Sequence, residues 1–302
     1  MKKYFILLLV ALLLMGCTAG ATETNPTEPT KSEPTEPPLV TGFFTEGEQT
    51  FYRTESGALH TGWLDLNDTR YYLDEAGVLQ TGWLQLDGAT YYLDADGAIC
   101  RGQVEVEGTV HYFSSAGVEV MVANPWSFLP EGYAPELVDA ENGYQVDARC
   151  IDALMQMLSD CRKAGHNAQI ASAYRSHEHQ TRLYNKKVQY YIDRGYSRKN
   201  AEKKAATIVA VPGTSEHELG LAVDLVDGSY WVLDEAQEKT AAQKWLMAHC
   251  WEYGFILRYP NDKSDSTGII YEPWHYRYIG TEIAKELHES GLCLEEYFLS
   301  IT

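Results

Sequence analysis

Apolar positions follow three different patterns along the chain, and each marks a different kind of structure. Phe5 to Met15 is almost continuously apolar behind Lys2 and Lys3. Residues 41–122 instead repeat every 20 positions: Gly42, Gly62, Gly82 and Gly102, then Tyr52, Tyr72, Tyr92 and Tyr112, then Gly57, Gly77, Gly97 and Gly117. Each unit holds two short runs joined by a glycine-containing turn, which predicts a β-hairpin. A lone hairpin is marginal in water, so the units are expected to stack and bury their Trp and Tyr faces against one another.

From residue 123 the repeat stops and the pattern turns globular. Ile151, Leu154, Met155 and Leu158 follow helical spacing, with Asp147 as the predicted N-cap and Gly165 as the stop. Ala168 to Ala173 reads as a strand. Ser176 caps a second helix that runs to Gly195, and Ser197 starts a third. Val211 to Thr214 is a loop, and Ala222 to Val226 a central strand. One further helix is predicted from Glu235 to Tyr253, then a strand over Phe255 to Arg258. Tyr276 to Tyr278 is a strand continuing from His275, and Thr281 to Glu289 closes as a helix. Together these predict an α+β domain with a small antiparallel sheet, behind an all-β hairpin-repeat solenoid.

Length and composition divide the 302 residues into four stretches. Residues 1–17 read as a signal peptide, because the apolar run is too short for a permanent membrane span. Its end, Leu14-Met15-Gly16-Cys17, resembles the bacterial lipobox. That resemblance implies a lipid on Cys17 and an anchor on the outer face of the cell membrane, facing the wall; ordinary cleavage and secretion is the competing reading. Residues 18–40, dominated by Thr, Pro and Glu, read as an extended tether reaching ~60–70 Å. Residues 41–122 are the repeats and 123–302 the globular domain. A net charge of −19 excludes nucleic acid as a partner, since phosphate binding needs a basic surface. With Cys17 lipidated, five cysteines remain, an odd number. Cys150 and Cys161 lie ~16 Å apart on one predicted helix and cannot bridge each other. Pairing among Cys161, Cys250 and Cys293 stays open.

The chemistry concentrates in Ser215-Glu216-His217-Glu218-Leu219-Gly220-Leu221-Ala222-Val223-Asp224 and, about fifty residues later, Glu272-Pro273-Trp274-His275. Two histidines and an aspartate are the ligand set of a catalytic zinc, with the fourth position left to water. A nearby glutamate can serve as general base. Glu272 and His275 would point to opposite faces of a regular strand, so an irregular turn at Pro273 is needed to bring them together. His217-Glu218 is not the start of H-E-x-x-H, because no second histidine follows four residues on. Asp224 sits in an apolar run where an unpaired carboxylate is costly, which calls for a cation. The other histidines (His60, His111, His166, His177, His179, His249 and His288) have no comparable setting.

The pattern S-x-H-x-x-G-x-A-x-D followed by E-P-W-H resembles the D-alanyl-D-alanine metallopeptidases, above all the VanY-type carboxypeptidases. A third block, Ser172-Ala173-Tyr174-Arg175-Ser176 with Gln180, fits the same family, and the resemblance covers roughly residues 125–290. It implies that His217, Asp224 and His275 hold Zn2+, that Glu272 is the base and that Arg175 polarises the scissile carbonyl. Ser215 and Gln180 are implied substrate contacts. The implied reaction is removal of the terminal D-Ala from peptidoglycan stem peptides at the cell surface. Two rival readings are an L,D-carboxypeptidase trimming tetrapeptide stems and a non-catalytic wall-binding lipoprotein.

The repeats resemble the choline- and glucan-binding repeats of Gram-positive surface proteins, in which an aromatic cage holds a quaternary ammonium. The tryptophan that usually precedes the paired tyrosines is replaced here by Thr50, Arg70, Thr90 and Val110, so the cage is incomplete. A surface for wall glycan or teichoic acid and a purely structural spacer are both consistent with this pattern.

Overall fold

Four short hairpins open the part of the chain that the computed structural model describes, residues 40–301. β1 (Gly42–Glu46) pairs with β2 (Gln49–Arg53), β3 (Gly62–Leu66) with β4 (Thr69–Leu73), β5 (Gly82–Leu86) with β6 (Ala89–Leu93), and β7 (Gly102–Val106) with β8 (Thr109–Phe113). The signal peptide, the lipidation site at Cys17 and nearly all of the tether lie outside the described residues. In the second hairpin the two turn residues, Asn67 and Asp68, take positive φ of 50° and 64°. That backbone matches the twist of the strands it joins.

Successive hairpins are stitched at the period of the sequence. Leu79 N donates to Thr50 O, Ile99 N to Arg70 O and Glu119 N to Thr90 O, at 2.7, 2.8 and 2.7 Å. Trp63 packs edge-on against Tyr72 of its own hairpin and Tyr91 of the next, with centroids 5.1 and 5.0 Å away. Trp83 does the same with Tyr92 and His111. Leu73, Leu93 and Phe113 are fully buried.

The remaining elements are β9 (Leu137–Asp139), β10 (Gln145–Asp147), α1 (Ile151–Lys163), β11 (Ala168–Ser172), α2 (His177–Ile192) and α3 (Arg198–Ala206). They continue with β12 (Ala222–Asp227), α4 (Ala241–His249), β13 (Phe255–Leu257), α5 (Ser264–Thr267), β14 (His275–Tyr278), α6 (Thr281–Ser290) and α7 (Leu294–Ser300). β11, β12, β14 and β13 form one antiparallel sheet in that order. Strand alternation sends Val223 and Leu225 of β12 into the main core with Leu154, Met157 and Leu158 of α1 and Leu246 of α4. Asp224, between them, must face the other side of the sheet, and its cross-strand partner is His275.

Several expectations are corrected. Asp147 does not cap α1: the position before the helix is Cys150, and Asp147 ends β10. Its carboxylate is engaged by the backbone N–H and guanidinium of Arg149. The single helix over 235–253 is instead three pieces, 3-10 turns at Glu235–Lys239 and Cys250–Tyr253 flanking α4. Thr240 breaks it by leaving helical φ/ψ and capping α4 through Gln243 N. Among the described residues no disulfide forms; Cys150, Cys161 and Cys250 are buried, unbridged members of the main core.

α7 was not predicted, and it closes the fold against the last repeat. Tyr112 packs on Phe298 at 5.1 Å, Ser115 N donates to the Tyr297 hydroxyl, and the Ser115 hydroxyl donates to Glu286. Gly102 is required at this junction, because a Cβ there would lie 2.1 Å from Ile301 O and its φ is +70°.

Candidate metal centre and catalytic cavity

β12 and β14 bring Asp224 and His275 side by side, and the 3-10 turn Glu216–Leu219 beneath them supplies His217. Asp224 Oδ1 lies 3.3 Å from His217 Nε2 and 3.2 Å from His275 Nδ1. Ligands ~2.0–2.1 Å from a tetrahedral metal sit about 3.3 Å from one another, which the two distances to Asp224 match, and all three atoms lie within 4.8 Å of one another. All three residues are buried, and His217 Nε2 and Asp224 Oδ1 have no hydrogen-bond partner. Orphaned buried acceptors are rare unless something unseen satisfies them. His217 Nδ1 donates to Ala173 O at 2.7 Å, which fixes the tautomer and leaves Nε2 as a lone-pair donor.

The turn required at Pro273 is present: His275 N donates to Glu272 O at 3.1 Å. It returns Glu272 to the ligand side, with Oε2 3.6 Å from His275 Nδ1. Burial pushes the Glu272 carboxyl up to about 8. His217 and His275 share one carboxylate and divide unequally. Burial and the nearby Arg175 hold His217 down at about 4, whereas His275, though buried, is raised to about 9 by the carboxylates of Asp224 and Glu216 that face its two nitrogens at 3.2 and 3.7 Å. His217 is therefore neutral as it stands, whereas His275 would have to release a proton on binding a metal.

Arg175 follows β11 at the lip of the site. Its Nη2 donates to Asp224 Oδ2 at 3.3 Å and its Nη1 to Gln180 Oε1 at 2.9 Å. Gln180 is fully buried and spends its amide on Ala210 O, so it sits behind Arg175 as a brace. Ser215 is buried and lines the cavity with Arg175, Glu272 and the three ligand residues. That cavity has a volume of about 540 Å³.

A family model described as D-alanyl-D-alanine carboxypeptidase, VanY, matches residues 143–281. The solved structure of VanYB in complex with D-Alanine-D-Alanine is 38% identical, with a TM-score of 0.56 over 60% of this chain and 98% of its own. The chain belongs to the VanY family. A second VanY structure, from a VanB-type resistance cassette and in complex with Zn(II), is 40% identical with a TM-score of 0.53, covering 59% of this chain and 97% of its own. The LdcB LD-carboxypeptidase structure is 32% identical with a TM-score of 0.56, covering 67% and 95%. Among curated relatives, a D-alanyl-D-alanine carboxypeptidase of Enterococcus faecalis (strain ATCC 700802 / V583) is 41% identical over 179 residues. The match takes in 59% of this chain and spans 65% of that relative's length. Residues 61–79 and 81–99 match the choline-binding type of cell wall binding repeat.

Three residues of this VanY-type site went unnoticed in the sequence. Glu216 is fully buried, with Oε1 2.8 Å from Arg258 Nε and 3.1 Å from Arg277 Nη1. Despite its burial, the two guanidinium groups hold its carboxyl well below the usual range. Tyr259 lines the cavity, its ring 4.8 Å from that of His275. His177, given no role, pairs with Glu218, whose other oxygen accepts from Gly213 N and so fastens the loop before Ser215. A glutamate inside S-x-H was visible, but its arginine partners stand 42 and 61 residues away.

Proposed function

We propose that this protein is a zinc-dependent D-alanyl-D-alanine carboxypeptidase acting on peptidoglycan stem peptides. The observation that carries the reading is the meeting of three candidate ligand atoms, two of them orphaned, with a buried carboxyl and a guanidinium at one cavity. His217 Nε2, Asp224 Oδ1 and His275 Nδ1 would hold the zinc. Zinc bound there supplies a Lewis acid that polarises the scissile carbonyl and acidifies a water. Glu272 takes the proton of the attacking water and delivers it to the leaving amine, a task suited to a carboxyl whose burial raises it toward neutrality. Arg175 donates to the developing oxyanion while Gln180 and Asp224 keep its plane fixed. Ser215 contacts the bound peptide from the cavity wall.

The test is release of D-alanine by the zinc-loaded folded unit, residues 41–302. Release from stems ending in D-Ala-D-Ala supports the reading. Release only from stems ending in a single D-Ala makes it an L,D-carboxypeptidase with the same catalytic groups. No release from either overturns it.

The four stretches divided at residues 17, 40 and 122 complete the proposal: a lipid on Cys17 anchors the protein outside the cell membrane, and the tether lets it reach the wall. The hairpins act as a short solenoid that holds a wall glycan or teichoic acid. The family match of the repeats and the 45% exposure of Trp83 support that role. Arg70 stands where the usual cage has tryptophan, paired with Asp65 at 2.7 Å and 5.5 Å from the Trp63 ring. A cation already fills that position, which favours a polymer ligand over choline.

A further inference from the structure

One face of α2 lines the catalytic cavity along most of the helix. His179, Leu183, Lys186, Lys187 and Tyr190 recur at i, i+4, i+7, i+8 and i+11, a single helical stripe. The catalytic groups stand at the N-terminal end of this stripe, because Arg175 immediately precedes the helix cap Ser176 and is held by Gln180 in the first turns. Lys186 and Lys187 lie ~10–12 Å farther along the axis than His179, at 1.5 Å per residue.

Both lysines have unspent charge. The lysine ion pairs among the described residues are those of Lys163, Lys263 and Lys285. Lys187 Nζ hangs 5.6 Å from the Tyr190 ring, an arrangement that leaves its N–H groups free for an acceptor. The setting is also unusual for this chain. Residues 177–206 carry eight of its 24 Lys and Arg but only three of its 43 Asp and Glu. Of these, Lys186 and Lys187 line the cavity, in a protein whose net charge is −19.

We propose that Lys186 and Lys187 form an anion subsite for a carboxylate on the acyl side of the substrate, about three residues before the scissile bond. This rests on the carboxypeptidase reading above. The leaving group of such an enzyme is one amino acid, which reaches only ~3.3–3.6 Å and cannot bridge to the lysines. An extended acyl portion covers ~10–12 Å in about three residues. Leu183, Ile208 and Ile269 line the same cavity and suit the aliphatic side chains of a peptide in transit. Their low-dielectric surface also strengthens the attraction between ammonium and carboxylate.

The test compares two synthetic five-residue stems ending in D-Ala-D-Ala. They are identical except that the group three residues before the scissile bond is a free carboxylate in one and a carboxamide in the other. The full-length zinc enzyme should prefer the carboxylate by about tenfold in kcat/KM, mostly through KM, the worth of one charge-assisted hydrogen bond. Added salt should shrink that preference. The double variant Lys186→Gln, Lys187→Gln should bring the ratio of the two substrates to about one, and Lys186→Arg, Lys187→Arg should keep it. A wild-type ratio of one, or a ratio that survives the glutamine variant, overturns the subsite while leaving the carboxypeptidase intact. Failure of the zinc-loaded wild type to cleave either stem overturns both.

Discussion

Glu216 Oε2 and His275 Nε2 face each other 3.7 Å apart, and neither atom has a hydrogen-bond partner. The pair aims the imidazole: with its Nε2 proton directed at Glu216, the Nδ1 lone pair turns toward Asp224 and the metal position. Arg258 and Arg277 in turn keep Glu216 ionised in a fully buried place. The metal site is thereby tied to a charge network that reaches Glu295 on α7 and Met121 O beside the repeats.

Replacing Glu216 with Gln should weaken zinc binding by ~10–100-fold, the usual cost of losing a partner behind a metal ligand. It should also lower stability by about 3 kcal/mol, because two buried guanidinium groups lose their shared counter-charge. Chelator competition reads the first effect and a denaturant midpoint the second. Unchanged zinc affinity in a destabilised protein would assign Glu216 to the arginine network alone.

Gln180 braces Arg175, so the two should act as one unit. Gln180→Leu is expected to lower kcat by about tenfold and Arg175→Ala by ~10². The double variant should be no slower than Arg175→Ala, since the brace is worthless without the group it holds. Steady-state rates on one stem peptide decide this. Full additivity would instead give Gln180 the direct substrate contact that the sequence implied.

How much of this was legible beforehand depended on distance along the chain. The candidate ligands His217, Asp224 and His275 and the candidate base Glu272 sit in two compact sequence blocks, which the fold brings to one cavity. The 20-residue period likewise announced the hairpins, because Trp63 and Trp83 each meet one aromatic in their own hairpin and one a repeat away. α7 escaped notice because its apolar face, Leu294, Tyr297 and Phe298, is buried only by docking against α6 and the last hairpin. The break at Thr240 was hidden for a related reason. A threonine within a helical pattern reads as tolerated until its hydroxyl is seen to cap the next helix. The role of Glu216 needed Arg258, just after β13, and Arg277 of β14, and no local pattern carries that.

Acid should loosen the C-terminal helix through Glu296. Its carboxylate accepts from Lys263 at 2.9 Å, Cys293 N at 3.0 Å and the Ser266 hydroxyl at 3.1 Å, and is held down to about 2. A depressed carboxyl stabilises the fold above its unfolded value near 4.5 and loses that contribution as pH falls toward 2. At pH 7, Glu296→Gln should therefore cost about 1 kcal/mol, a figure reduced for partial exposure. The gap to wild type should narrow steadily below pH 4.5. Denaturant midpoints of the two proteins at pH 7, 4.5 and 3 test this, and a constant gap would contradict it.

If His217, Asp224 and His275 hold a zinc at which Glu272 moves the proton, losing Glu272 should spare the metal and abolish turnover. The most direct measurement is zinc content and D-alanine release for the wild type and Glu272→Ala, side by side. Both proteins should carry one zinc per chain, with D-alanine release by the wild type and a loss of ~10²–10⁴ in kcat for the variant. A Glu272→Ala protein that carries its zinc and releases D-alanine at the wild-type rate would contradict it.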